Sequence, residues 1–274
     1  MCPLLTEETD NETIYHEIAQ EKIPTKWISS EDSILLSLEK AVKPHKNELI
    51  IELGCGSGIR TLHLAKKYSL NPVLIDWARN AVSLTRDNAR RLSVSCHPVR
   101  CDIRHLPFRN EIFDIVWAEG AHEHMLEKDR PQAFSETRRV AKTGARLLIF
   151  VPNVLNPFYR IEEVMKDRYH LAELYELSFT RSELEYWIKK SGFTITSGEG
   201  LEVFFTLFSY SLFDLNEVAP IIRPLYRIKR FMTRSFHNGK GVSGYAVRNL
   251  RKLDRNYLPR HILGHQVGIV AIAN

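Results

Sequence analysis

The sequence predicts an α/β protein built around a mostly parallel β-sheet, and three observations carry that expectation. An apolar run, Leu49-Ile50-Ile51, continues through Glu52-Leu53 into three closely spaced glycines, Gly54, Gly56 and Gly58. A second apolar run, Val73-Leu74-Ile75, ends in Asp76. Between and beyond these runs apolar residues recur at helical spacing, so strand and helix patterns alternate along the chain. Parallel neighbours in one sheet need a crossover, and its expected hand is right-handed.

The elements follow in order. Residues 13–22 could form a short helix that Pro24 ends. Ile34, Leu35, Leu38, Ala41 and Val42 predict a helix over 30–42, with Ser30 or Ser33 near its start and Pro44 as its stop. After the glycines, Ile59, Leu62, Leu64 and Ala65 make one helical face that leads to the strand ending at Asp76. Residues 80–92 supply Ala81, Val82, Leu84, Ala89 and Leu92 inward, with Arg79, Arg86, Arg90 and Arg91 as a solvated face. Residues 94–101 read as a third strand, and 112–117 as a fourth, buried one. A helix over 129–142, ended by Thr143-Gly144, precedes a fifth strand at 145–151. Residues 180–190 read as a capped helix that Gly192 ends; 193–196 and 267–273 are the last two strands.

Composition bounds the function. The chain has 274 residues, 44% of them hydrophobic, which suffices for a sizeable core. Its formal charge of +5 is too modest at this length to imply nucleic-acid binding. Cys2, Cys55, Cys96 and Cys101 show no paired spacing of a metal knuckle or disulfide framework, so reduced thiols are expected. The absence of a signal-like segment or a long apolar stretch favours a soluble, cytoplasmic protein, with peripheral membrane contact left open.

Chemistry concentrates at the ends of the strands. Glycines let a ligand approach the backbone, and free N–H groups at the next helix start favour an anionic or electron-rich group. Asp76 is positioned to accept hydrogen bonds from a ribose at a strand's C-terminal edge. Together they predict a nucleotide-like cofactor.

Glu52-Leu53-Gly54-Cys55-Gly56-Ser57-Gly58 resembles the first motif of the class I S-adenosylmethionine-dependent methyltransferases, particularly their UbiE-like small-molecule group. The resemblance covers about residues 45–152 and continues more loosely to about 200. It implies a Rossmann-like sandwich with a seven-stranded sheet of order 3-2-1-4-5-7-6, its last strand antiparallel. It also implies S-adenosylmethionine as cofactor and S-adenosylhomocysteine as product. On that resemblance, Gly54, Gly56 and Gly58 shape the loop, Glu52 supports the methionine end, Cys55 and Ser57 give backbone contacts, and Asp76 binds ribose. Asp102 accepts from the adenine amine, Ile103 and Trp77 flank the ring, and Glu119 joins the methionine side. Tyr15 and Trp27 belong to an N-terminal lid, as pocket or as packing residues. The implied organisation is one domain over 1–274: a helical cap at 1–44, a cofactor-binding core at 45–203, an insertion or substrate cap at 204–262 and a returning strand at 263–274.

The mouth of the fourth strand carries Ala118-Glu119-Gly120-Ala121-His122-Glu123-His124. His122 or His124 could accept a proton from a methyl acceptor near neutral pH; packing or helix capping is the competing role. No metal is expected, because crowding of Glu119, His122, Glu123 and His124 is not coordination geometry. The acceptor is expected to be a small, lipophilic or aromatic molecule. RNA or protein methylation, a noncatalytic S-adenosylmethionine-binding module and an NAD-dependent oxidoreductase stand as alternatives. The apolar stretch 203–213 fits a substrate pocket, a buried helix or a membrane contact, and the basic, apolar-mixed stretch 223–240 fits an interfacial helix, recognition of a phosphate-bearing substrate or a solvated face packed by its apolar side.

Overall fold

In the computed structural model, residues 32–156, 159–160, 178–201, 263–264 and 266–274 are described. The helix at 13–22, Tyr15, Trp27 and the stretches 204–262, 203–213 and 223–240 lie outside them. The elements are α1 (Ser33–Val42), β1 (Leu49–Leu53), α2 (Ile59–Tyr68), β2 (Asn71–Asp76), α3 (Arg79–Leu92), β3 (His97–Arg100) and β4 (Phe113–Glu119). A 3₁₀ turn (His122–His124), α4 (Arg130–Val140), β5 (Ala141–Pro152), α5 (Arg181–Lys190), β6 (Phe193–Gly200) and β7 (Gln266–Ala273) follow.

The seven strands form one sheet in the order β3-β2-β1-β4-β5-β7-β6, the Rossmann-like arrangement expected. β1 lies inside the sheet next to the central β4, parallel to β2 through Leu53↔Ile75 and to β4 through Glu52↔Trp117. Both faces of β1 are covered, which is why Ile50, Ile51 and Leu53 form a continuous buried run rather than an alternating one. β7 reverses direction: Gly192 O accepts from Asn274 N at 3.1 Å while Thr196 Oγ1 donates to Val270 O at 3.2 Å, so numbers rise on β6 as they fall on β7. Gly268 permits that strand to lie against β5, because a Cβ there would come within 2.3 Å of the Phe150 ring.

Three boundaries differ from the sequence expectation, each for a local reason. α1 starts at Ser33, and its cap is Asp32 rather than Ser30 or Ser33; Asp32 Oδ1 accepts from Leu35 N at 2.7 Å. The third strand is shorter than 94–101 and runs only over His97–Arg100. α4 ends at Val140, and β5 begins at once, so Thr143-Gly144 is not a helix stop. The register there slips from Phe113↔Ala141 to Ile115↔Arg146, a bulge in which Gly144 adopts φ +82°. Lys142 Nζ binds Asp114 Oδ1 at 2.6 Å and holds the bulge to β4.

The chain divides into two compact units. The first, residues 1–151, 173–198 and 268–274, holds the sheet core around Trp117, Phe113, Phe134 and Phe150. The second comprises 152–172 and 199–267; in it the buried Asn153 and Asn156 donate to the carbonyls of Gly264 and Leu263 at 2.9 and 2.7 Å. Among the described residues, no helix is long and apolar enough to cross a membrane.

Candidate functional site

The site begins where β1 ends. Gly54, Gly56 and Gly58 have φ values of +68°, +51° and +62°, the left-handed region that L side chains resist. Gly54 has a second reason to be glycine, since a Cβ would lie 2.6 Å from that of Ala121. The loop is tied down on several sides. Cys55 N donates to Ile75 O at 2.8 Å and Gly56 N to Asp76 Oδ2 at 2.8 Å. Thr85 Oγ1 donates to Gly56 O at 2.9 Å, and Asn88 Nδ2 to Ser57 O at 3.0 Å. Thr85 and Asn88 sit on the buried face of α3 and are not among the residues expected from sequence. Their signal is present there, as two polar residues in phase with Ala81, Leu84, Ala89 and Leu92.

Asp76 ends β2 and is buried; besides Gly56 it accepts from Ala78 N at 2.9 Å. Burial pushes its pKa up, while these backbone donors oppose the rise. Burial likewise drives the Cys55 thiol well above its usual range, so it is no nucleophile at neutral pH.

On the other side of the loop is a line of charge. Glu52 is 5% exposed, and its Oε2 has no hydrogen-bond partner. Its pKa is pushed up to about 8, first by burial and then by the nearby Glu119, against a hydrogen bond from Thr61. Thr61 in turn accepts from Trp117 Nε1 at 2.8 Å, which fixes its hydroxyl toward Glu52. Arg60, on the first turn of α2, donates to Glu119 Oε2 at 2.7 Å and to Asp32 Oδ1 at 3.2 Å. Three elements are thereby joined beside the loop, and neither Arg60 nor Asp32 is marked by a sequence motif. A buried carboxylate oxygen without a partner, beside a loop where side chains cannot fit, suits the cationic and backbone-contacting parts of an S-adenosyl cofactor.

The end of β3 and the residues after β2 are assembled differently. Ile103 is buried, and Trp77 is 41% exposed beside Asp76. Asp102 is engaged by Arg104, and its pKa is lowered: burial would raise it, and the Arg104 hydrogen bonds outweigh that. At the mouth of β4, His122 is fully buried with neither ring nitrogen partnered, its ring 4.6 Å from that of Phe134. Burial and the neighbouring Arg130 lower its pKa to about 4. His124 is half-buried. Among the described residues, no group of three His, Cys, Asp or Glu side chains could hold a metal.

This geometry can be compared with known proteins. Residues 50–144 match the family model described as a methyltransferase domain. The chain's seven-stranded sheet has the Rossmann-like order of the methyltransferase fold. Among curated proteins, the chain is 32% identical over 106 residues to Methyltransferase GfsG of Streptomyces halstedii, covering 36% of each chain. It is 32% identical over 111 residues to the probable chloroplastic tocopherol O-methyltransferase of Oryza sativa subsp. japonica, covering 38% of this chain and 29% of that one. The probable tRNA methyltransferase 9B of Homo sapiens is also 32% identical, over 104 residues, with 38% and 21% covered. The matches thus span about a third or less of these relatives' own lengths. Among solved structures, the [4+2]-cyclase SpnF shares the fold at a TM-score of 0.59 with 15% identity, covering 96% of this chain and 93% of that one.

Proposed function

We propose that the chain is a UbiE-like enzyme that transfers a methyl group from S-adenosylmethionine to a small, lipophilic or aromatic acceptor. The observation that carries this reading is the 2.8 Å bond from Gly56 N to Asp76, which locks the glycine loop to the acid at the end of β2. It joins the two halves of a cofactor cradle within the matched methyltransferase domain.

In this reading Asp76 holds the ribose hydroxyls, and Glu52 and Glu119 face the methionine ammonium. Asp102, Ile103 and Trp77 surround the adenine, and the backbone of Cys55 and Ser57 lines the loop. The bound cofactor supplies an electrophilic methyl group. The protein's part is to align the acceptor and exclude water. Glu52 carries its proton at neutral pH in the free protein, and a cation beside it favours the charged form. His124 takes the acceptor's proton. His122, neutral and weakly basic, packs against Phe134 and shapes the turn that presents His124.

The likeness to a tocopherol O-methyltransferase supports an apolar acceptor bearing a hydroxyl. An RNA acceptor is the second reading, favoured by the equal identity to tRNA methyltransferase 9B. The likeness to a [4+2]-cyclase is a reminder that this fold alone does not dictate methyl transfer. Incubation with methyl-labelled S-adenosylmethionine and separate metabolite, RNA and protein fractions tests all three. Label in an extractable metabolite is expected; label only in RNA or protein would shift the acceptor class, and no transfer to any fraction would defeat the enzyme reading.

A further inference from the structure

The Asp102 carboxylate is gripped by Arg104 through both of its oxygens. Arg104 N donates to Oδ1 at 2.8 Å, Arg104 Nε reaches Oδ1 at 3.1 Å and Oδ2 at 2.8 Å, and Arg104 Nη2 reaches Oδ2 at 2.6 Å. A carboxylate offers about four lone-pair positions and Arg104 alone aims three N–H groups at them, its Nε–H shared between both oxygens, so an arriving amine must compete with the guanidinium. Arg104 also has somewhere else to go. Its Nη1 is 3.1 Å from Asp129 Oδ2, and Asp129 makes no side-chain cap on α4 that would commit its carboxylate. The side chain is 30% exposed, which leaves room for exchange, while Gln132 Nε2 holds the Arg104 carbonyl at 3.2 Å.

Resting on the S-adenosylmethionine reading, we propose that Arg104 is the specificity-determining residue of the adenine subsite. Its guanidinium competes with the base amine for Asp102 and withdraws onto Asp129 when an adenine binds. Affinity for an adenosyl ligand is then set by the difference between the two ion pairs. A base lacking the exocyclic amine has nothing with which to displace Arg104, so its affinity does not depend on that residue.

Calorimetric titration of the full chain with S-adenosylhomocysteine and with S-inosylhomocysteine, which lacks the amine, tests the competition. Arg104→Ala is expected to bind S-adenosylhomocysteine about fivefold more tightly and S-inosylhomocysteine unchanged, the scale of one partly exposed ion pair. Asp129→Asn, which removes the alternative partner, is expected to weaken S-adenosylhomocysteine binding about threefold. Arg104→Lys keeps the charge without the fork and is expected between wild type and alanine, so the series does not hang on one variant's folding. Unchanged or weaker S-adenosylhomocysteine binding in Arg104→Ala, or an equal shift for both ligands, overturns the proposal while leaving the cofactor reading intact. A wild-type chain that binds no S-adenosylhomocysteine would overturn both.

Discussion

Glu52 and His122 are both buried titratable groups, yet their pKa values move in opposite directions because burial disfavours whichever form is charged. Glu52 has a folded pKa of about 8 against an ordinary value of 4.5, so between these pH values the folded state binds the extra proton. Its contribution is present below pH 4.5 and is lost as pH rises toward 8. Urea unfolding of Glu52→Gln without cofactor should therefore show a smaller loss of stability across that window than wild type. His122 behaves in the reverse sense: its contribution is present above pH 6.5 and is lost as pH falls through about 4. His122→Phe, measured in the same way, should flatten the acid limb. At Gly54, alanine meets both a left-handed backbone and Ala121, so Gly54→Ala should cost about 1–3 kcal/mol in urea unfolding and weaken cofactor binding. The glycines, Asp76 and Asp102 are legible in the chain because strand ends followed by special residues leave a sequence signature. Arg60 and Asp32 are not, because an ion pair between residues far apart in the chain, such as Arg60 and Glu119, leaves no local pattern.

At the scale of elements, β1, β2 and β4 can be read directly, because strands buried on both faces are continuous apolar runs. Boundaries governed by a single contact cannot. Ser30 and Ser33 are as suitable by residue type as Asp32 for capping α1, and only the fold shows Asp32 reaching both Leu35 N and Arg60. Asp32→Ala should lower stability by about 1–2 kcal/mol, measurable by thermal or urea unfolding. A bulge and a helix end both use a left-handed glycine, which is why Gly144 carries the signature of a helix stop although it lies within β5. Two strand glycines, Gly144 in β5 and Gly268 in β7, offer a clean contrast. A Cβ added at Gly144 would meet nothing within 4 Å, whereas one at Gly268 would face the Phe150 ring at 2.3 Å. Gly144→Ala should cost about 1 kcal/mol from backbone strain alone. Gly268→Ala should cost more, about 1–3 kcal/mol of overpacking, and disturb the β5–β7 pairing.

For the molecule as a whole, periodicity supplies the alternation of strands and helices but not their order. The arrangement β3-β2-β1-β4-β5-β7-β6 follows from the motif resemblance and is present in the fold. The family match ends at residue 144, so in the proposed reading the choice of acceptor falls to the rest of the chain. A cofactor loop obeys backbone constraints that any sequence must meet, while a substrate wall answers only to its own ligand. The central claim is that the β1 and β2 edge holds an S-adenosyl cofactor. Calorimetric titration of wild type and Asp76→Ala with S-adenosylhomocysteine, and of wild type with NAD, tests it most directly. Wild type is expected to bind S-adenosylhomocysteine at one site, Asp76→Ala to lose most of that affinity, and NAD not to bind; saturable NAD binding without S-adenosylhomocysteine binding would contradict the account.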